Sequence, residues 1–236
     1  MKIDVAFLPK DTLAMDLADT TCIVLDIFRA TTCIVTAFAN GCKTINPVSS
    51  IDEAHSLAGQ IKPALLAGER QSIKIEGCDL GNSPFEFCQS RVQEQSIIMT
   101  TTNGTVAIRS TEGAFRTLIG SFINAGAVCR QARQYGKDVL IICAGTDGLF
   151  SLEDTLCAGL LVRLLTVEGE AAVSDSARGA LLMYDHSKDV LVETAAQSRN
   201  GKRLYDIGRT EDVKYCLRTD VFDIVPQYKE GKILLG

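Results

Sequence analysis

Tryptophan is absent from this chain of 236 residues, and histidine occurs twice, as His55 and His186. Neither histidine has a cysteine or a second histidine close by in sequence, so a zinc site has little to be built from. Lysine and arginine form no run, and the net charge is −5. That excludes the basic stripe a nucleic-acid-binding face requires. No apolar stretch approaches the ~18 to 20 residues that span a bilayer. The opening MKIDVAFLPKD carries a lysine and then an acid, which makes a poor signal peptide. No nucleic-acid partner and no membrane partner is expected. The nine cysteines include no CxxC pair, and most lie in apolar runs such as TTCIVTAF. Buried reduced thiols and a cytoplasmic location are therefore expected.

What is present is an alternation of apolar runs. Residues 2–8 (KIDVAFL), Cys22–Asp26, Lys43–Val48, Ala64–Ala67, Ser96–Thr100, Phe115–Gly120 and Val139–Cys143 read as strands. Helical spacing occupies Ala30–Asn40, stopping at Gly41, then a segment capped by Ser50 and running to about Ile61, ahead of Pro63. Ser83 is placed to cap a short helix at Pro84, and further helices are expected at Val106–Ser110, Asn124–Tyr135 and Leu152–Leu165. Residues 166–217 read as mostly helical, with Ser174 and Ser187 as caps and RNGKR exposed. Val221–Val225 and the tail KILLG read as closing strands. This predicts an α/β fold, a three-layer α/β/α sandwich around a mainly parallel or mixed sheet. With no linker, low-complexity segment or repeat, residues 1–236 read as a single domain, the more helical third from about 166 being a second lobe at most. The apolar stretch Ala158–Leu165 belongs either inside the fold or at a homodimer contact.

The centre of the chain is Ile141–Gly159, IICAGTDGLFSLEDTLCAG: strand, glycine-bearing loop, and a helix with Ser151 as N-cap and Asp154 three residues on. Three other strand-to-loop junctions are equally polar. They are Asp26-Ile-Phe-Arg29-Ala-Thr31-Thr32; Glu69-Arg70 with Asp79-Leu-Gly81-Asn82-Ser83 after it; and Thr100-Thr101-Thr102-Asn103-Gly104-Thr105. In a parallel sheet, junctions of this kind gather at the carboxyl edge of the strands. Several carboxylates sharing a site raise one another's pKa unless a cation joins them. Oxygen-only ligands select a hard ion, Mg²⁺ above all. Asp26, Glu69, Asp79, Glu153 and Asp154 are therefore the candidate metal ligands. Arginines beside helix starts rich in Thr, Ser and Gly suit an oxyanion. The candidate substrate-binding residues are thus Arg29, Thr31, Thr32, Arg70, Asn82, Ser83, Thr101, Thr102, Asn103 and Gly104. Asp26, Arg29 and Asp154 are the candidate catalytic residues, with Asp26 as metal ligand or as a nucleophile forming an aspartyl-phosphate. Each acid has a plainer reading as a helix cap, and Arg29 as a partner of Asp26.

Other phosphatase signatures fail. Asp26 is followed by Ile27 and Phe28, so DxDx[TV] is not met. Cys157 to Arg163 satisfies Cys-x5-Arg in form, but AGLLV is an apolar helix interior and not an anion-binding loop. Neither a Walker A sequence nor GxGxxG occurs. The segments LDIFRATTCIVTAFANG, LLAGERQSIKIEGCDLGNSPFEF, TTTNGT and ICAGTDGLFSLEDTLCAG closely resemble the 2-phosphosulfolactate phosphatase (ComB-like) family over about Asp26 to Gly159. The resemblance implies an α/β/α sandwich and a Mg²⁺-dependent, acid-favouring phosphatase. Such an enzyme converts 2-phosphosulfolactate to 3-sulfolactate and phosphate, a step of coenzyme M biosynthesis. A phosphatase of another 2-phospho-acid and a non-catalytic anion-binding protein are the alternative readings. In every case the partner is a small anionic molecule.

Overall fold

In the computed structural model, which describes residues 1–167 and 171–236, strands and helices alternate along most of the chain. The order is β1 (Lys2–Ala6), β2 (Thr20–Leu25), α1 (Ala30–Ala39), β3 (Thr44–Pro47), α2 (Ile51–Ala58), β4 (Ala64–Arg70), β5 (Ile73–Lys74), α3 (Gln89–Val92), β6 (Ser96–Thr100), α4 (Gly104–Arg109) and β7 (Arg116–Gly120). Then come α5 (Ala125–Tyr135), β8 (Asp138–Cys143), α6 (Leu152–Thr166), β9 (Ala172–Val173), α7 (Asp175–Ser187), α8 (Leu191–Ala196), α9 (Arg199–Asp206), α10 (Thr210–Cys216), β10 (Pro226–Lys229) and β11 (Lys232–Leu235). Among the described residues eleven strands form one mixed sheet, in the order β5-β4-β6-β3-β11-β10-β7-β2-β8-β1-β9.

Two parallel blocks make up this sheet. One is β4-β6-β3; the other is β7-β2-β8-β1, extended by β9. The C-terminal hairpin β10–β11 lies between them and pairs antiparallel to both, through Gln227↔Leu118 and Ile233↔Ile45. The sheet is therefore mixed, two parallel blocks joined by an antiparallel hairpin, within the mainly parallel or mixed sheet expected. The central strands are apolar on both faces because helices cover both. In β2, Ile23 and Leu25 join one core with α5, α6 and α7, while Val24 joins the other with α1, Ile45 and Met99. This is the three-layer α/β/α sandwich.

Helix α6 is almost wholly buried, so the apolar stretch Ala158–Leu165 is interior. It packs closely on α7: a Cβ on Gly159 would collide with the Ala180 carbonyl oxygen. Ser50, Ser151 and Ser174 cap their helices as expected, accepting from the amides of Glu53, Asp154 and Ala177. Three local expectations fail. Ser187 ends α7 and caps nothing. Residues Val221–Val225 form no strand: the amide of Phe222 donates to the Ile123 carbonyl, and the carbonyl of Ile224 accepts from Asn124, which ties the segment to the start of α5. RNGKR is not an exposed stretch. It opens α9, is capped by Ser198, and buries Asn200 and Gly201.

Candidate active site

The polar junctions meet in spite of the break in the parallel sheet. Gly104 marks the closest approach, since a Cβ there would fall 2.7 Å from both Asp26 Oδ2 and the Ala30 Cβ. The missing side chain of this glycine serves not a ligand but the Asp26 loop, which occupies the space a Cβ would take. The amide and hydroxyl of Thr102 donate to Glu69 Oε1 at 2.8 and 2.9 Å, joining the ends of β6 and β4. The amides of Ile27 and Gly145 donate to the two Asp154 oxygens at 2.8 and 3.1 Å, joining the ends of β2 and β8 to the start of α6. Asp154 thus completes no capping box with Ser151; its carboxylate is turned to two loops instead.

Asp26, Glu69, Glu153 and Asp154 are all buried. Burial pushes the Asp26 carboxyl up to about 7, reinforced by the negative charges of Glu69 and Glu153 and opposed by the amides of Ala30 and Arg29. Asp154 is pushed well above the usual range by burial and then by Glu153 and Asp26, and burial raises Glu153 as well. Glu69 is fully engaged, its second oxygen accepting from the Ser72 amide at 2.8 Å. Glu153 is not: its Oε2 is buried without a partner. A buried acceptor left open in this way is costly unless something fills the place.

Arg29 is 3% exposed, and its NH1 pairs with Asp212 Oδ2 at 3.2 Å. Its NH2 donates to the Ser72 carbonyl at 2.8 Å, and its Nε has no partner. The other Asp212 oxygen accepts from the Ser83 hydroxyl at 2.8 Å, and the neighbouring Asn82 has a buried Oδ1 without a partner. Asn200 donates to the Phe28 carbonyl at 2.7 Å and accepts from the Ser72 hydroxyl at 3.3 Å. Ser72 itself sits in the β4–β5 turn with φ 68°, next to Gln71 at φ 51°. Two successive non-glycine residues in this left-handed region are strained, and Ser72 is held there by hydrogen bonds to Glu69, Arg29 and Asn200.

The remaining candidates divide by position. Arg70 donates to the Glu69 carbonyl and to the Thr100 hydroxyl. Asn103 accepts from the Asp147 amide, and Asp147 pairs with Arg203. The hydroxyls of Thr31 and Thr32 return to the carbonyls of Asp26 and Ile27, and Thr101 bonds reciprocally with Thr105. These three threonines shape their own loops. Asp79 stands apart from the acid cluster: it is exposed and accepts from the Leu66 amide at the edge of β4. Among the described residues, no three Asp, Glu, His or Cys side chains are poised around one ion.

Sequence reasoning missed Ser72, Asn200 and Asp212. Asp212 looks like an ordinary first-turn acid in TEDVKYC, and Asn200 lies in a stretch that reads as solvated. The one available signal was the burial implied by Leu204, Val213 and Cys216 at helical spacing.

A family model described as 2-phosphosulpholactate phosphatase matches residues 6–231. A probable 2-phosphosulfolactate phosphatase of Caldanaerobacter subterraneus is 40% identical over 218 residues, covering 92% of this chain and 90% of that protein. Proteins of the same description from Clostridium acetobutylicum and Clostridium beijerinckii are 37% and 36% identical over 236 residues, covering 99% of this chain and at least 99% of each relative. A match of this extent, which includes all four polar junctions, makes the chain a member of the 2-phosphosulpholactate phosphatase family.

Proposed function

We propose that this phosphoric monoester hydrolase releases phosphate from 2-phosphosulfolactate, with Mg²⁺ as its cofactor, in a coenzyme M type of biosynthetic step in the cytoplasm. The observation that carries the reading is the site's mixed and incomplete polarity. Buried carboxylates crowd beside a buried arginine, and Glu153 Oε2, Arg29 Nε and Asn82 Oδ1 are left open. A ligand that brings both a cation and an oxyanion completes such a site; an apolar ligand does not. The nine free cysteines suit a reducing compartment, and among the described residues no helix is long and apolar enough to cross a membrane.

The residues present fit a magnesium ion. Mg²⁺ keeps several waters and needs only one or two carboxylates besides substrate phosphate, so the lack of a three-acid cluster is no obstacle. Glu153, whose Oε2 is open, and Asp26 beside it would hold the ion, whereas both oxygens of Glu69 and both of Asp154 are tied to other loops. When bound, the ion would neutralise phosphoryl charge and offset the repulsion among the acids. Arg29 would donate from Nε to a substrate oxygen, while the open Oδ1 of Asn82 would accept from a bound water or a protonated group. Glu69 and Asp154 hold the loops that carry Thr102 and Ile27, and so fix the position of Asp26. The Asp26 carboxylate is the group that acts at the phosphorus, as nucleophile or as base for water. The stereochemistry at a chiral phosphorus separates the two routes: overall retention, the sum of two in-line displacements, marks an aspartyl-phosphate, and inversion marks direct attack by water.

A substrate panel tests the function. Phosphate release from 2-phosphosulfolactate should exceed that from other 2-phospho-acids, and EDTA should abolish it. Turnover that survives complete metal removal would overturn the cofactor, and turnover confined to a different phospho-acid would overturn the substrate.

A further inference from the structure

Arg29 is the buried cation of the site, but it lies on a loop ahead of α1, and its guanidinium needs something to set its direction. The four acids of the cluster do not supply this. The ion pair that Arg29 makes is with Asp212, whose helix α10 lies far along the chain. Asp212 is itself 2% exposed and is oriented by the Ser83 hydroxyl, so both of its oxygens are used. With NH1 on Asp212 and NH2 on the Ser72 carbonyl, the guanidinium plane is fixed at two corners. Its Nε–H is the donor left without a partner.

We propose that Asp212 is a positioning residue for this reaction, holding Arg29 so that its Nε–H stays open for an oxyanion of the substrate, with Ser83 orienting Asp212 in turn. The physical reason is directional. A planar guanidinium binds an oxyanion well only when its donors are aimed in advance. An arginine lacking its counter-charge in a buried acidic site would instead swing to the nearest carboxylate. Glu153, with its open Oε2, is one such acid, and an Arg29 paired with it is lost to the substrate. Asp212 thus keeps the arginine separate from the acids that handle the metal and the phosphorus. The inference rests on the reading of Arg29 as the oxyanion donor.

The test is a cycle read by inorganic phosphate binding in calorimetry with Mg²⁺ present, together with a melting temperature for each variant. Asp212→Asn should weaken phosphate by roughly 30-fold or more, the scale set by truncating one member of a buried, hydrogen-bonded ion pair. Ser83→Ala keeps both charges and should weaken it by about 3- to 10-fold. In an Arg29→Gln background, either change should move phosphate affinity by less than about 2-fold, because the residue they position is gone. Arg29→Met takes the place of Arg29→Gln if the latter does not fold, and Ser83→Ala carries the cycle if Asp212→Asn does not. Additive losses would overturn the proposal, since a purely structural role or direct contact with phosphate persists without Arg29. Unchanged affinity in Asp212→Asn and Ser83→Ala, with binding lost in Arg29→Gln, overturns the positioning role alone. Full affinity in Arg29→Gln overturns the role assigned to Arg29, and this inference with it.

Discussion

Replacing Asp26 by asparagine should abolish turnover and yet make the metal-free protein more stable at neutral pH. The folded protein holds the Asp26 carboxyl at about 7, against an ordinary value of 3.8. The native state therefore binds a proton that the unfolded chain has already released. Stability contributed by the neutral form is fully present below pH ~4 and falls as pH rises towards ~7, because over that window the native state holds more protons. The gap between 3.8 and about 7 is roughly three pH units, at ~1.36 kcal/mol each, so the ionised carboxyl costs ~4 kcal/mol by pH 8. Asparagine has nearly the same shape and keeps one oxygen for the amides of Arg29 and Ala30, but never ionises. Urea unfolding in EDTA should find Asp26→Asn and the parent within ~1 kcal/mol at pH 4.5, with the variant ahead by ~2 to 4 kcal/mol at pH 8. Because Asp26, Glu153 and Asp154 titrate together, part of the gain appears as lowered pKa values in the other two. A variant equal to or less stable than the parent at pH 8, or a difference independent of pH, would refute the reasoning that burial, reinforced by the neighbouring acids, penalises the ionised Asp26 carboxyl in the folded state.

Added Mg²⁺ should raise the melting temperature of the parent more at pH 8 than at pH 5, and Glu153→Gln should remove most of that rise; thermal scans with and without EDTA measure it. Gly104→Ala forces a Cβ to 2.7 Å from Asp26 Oδ2, so phosphate release should fall at least ~10-fold at a stability cost of ~1 to 3 kcal/mol. Gly159→Ala meets the Ala180 carbonyl, a backbone group that cannot rotate away; urea midpoints should report a loss upwards of ~3 kcal/mol as α6 and α7 part. Asp79→Asn, whose oxygen can still accept from the Leu66 amide, should keep kcat/KM within about 2-fold, and a ~100-fold loss would return Asp79 to the site.

The alternation of elements and the layers were legible in the sequence because they depend on local rules. β2 and β8 read as buried strands from their β-branched runs. Ser50, Ser151 and Ser174 read as caps because each stands immediately ahead of a run with helical spacing. Acids and hydroxyls at the ends of β2, β4, β6 and β8 were legible as polar junctions, and the folded chain links them through Glu69 and Asp154. Other features have no local signature. The hairpin β10–β11 enters between two parallel blocks, and nothing in KILLG says which strands it will separate. Asp79 and Glu69 lie ten residues apart in the same loop system and look alike as ligands, but the turn at Gln71–Ser72 leaves one in the cluster and the other on the edge of β4. Asp154 reads as a cap; the folded chain turns it to the amides of Ile27 and Gly145. Asp212 and Asn200 look solvated until α9 and α10 dock over Arg29. Composition and spacing determined which chemical groups this protein has to work with and at which strand ends they stand. Only the tertiary structure decided which of them are buried together, because burial and charge coupling are properties of residues brought close from distant parts of the chain.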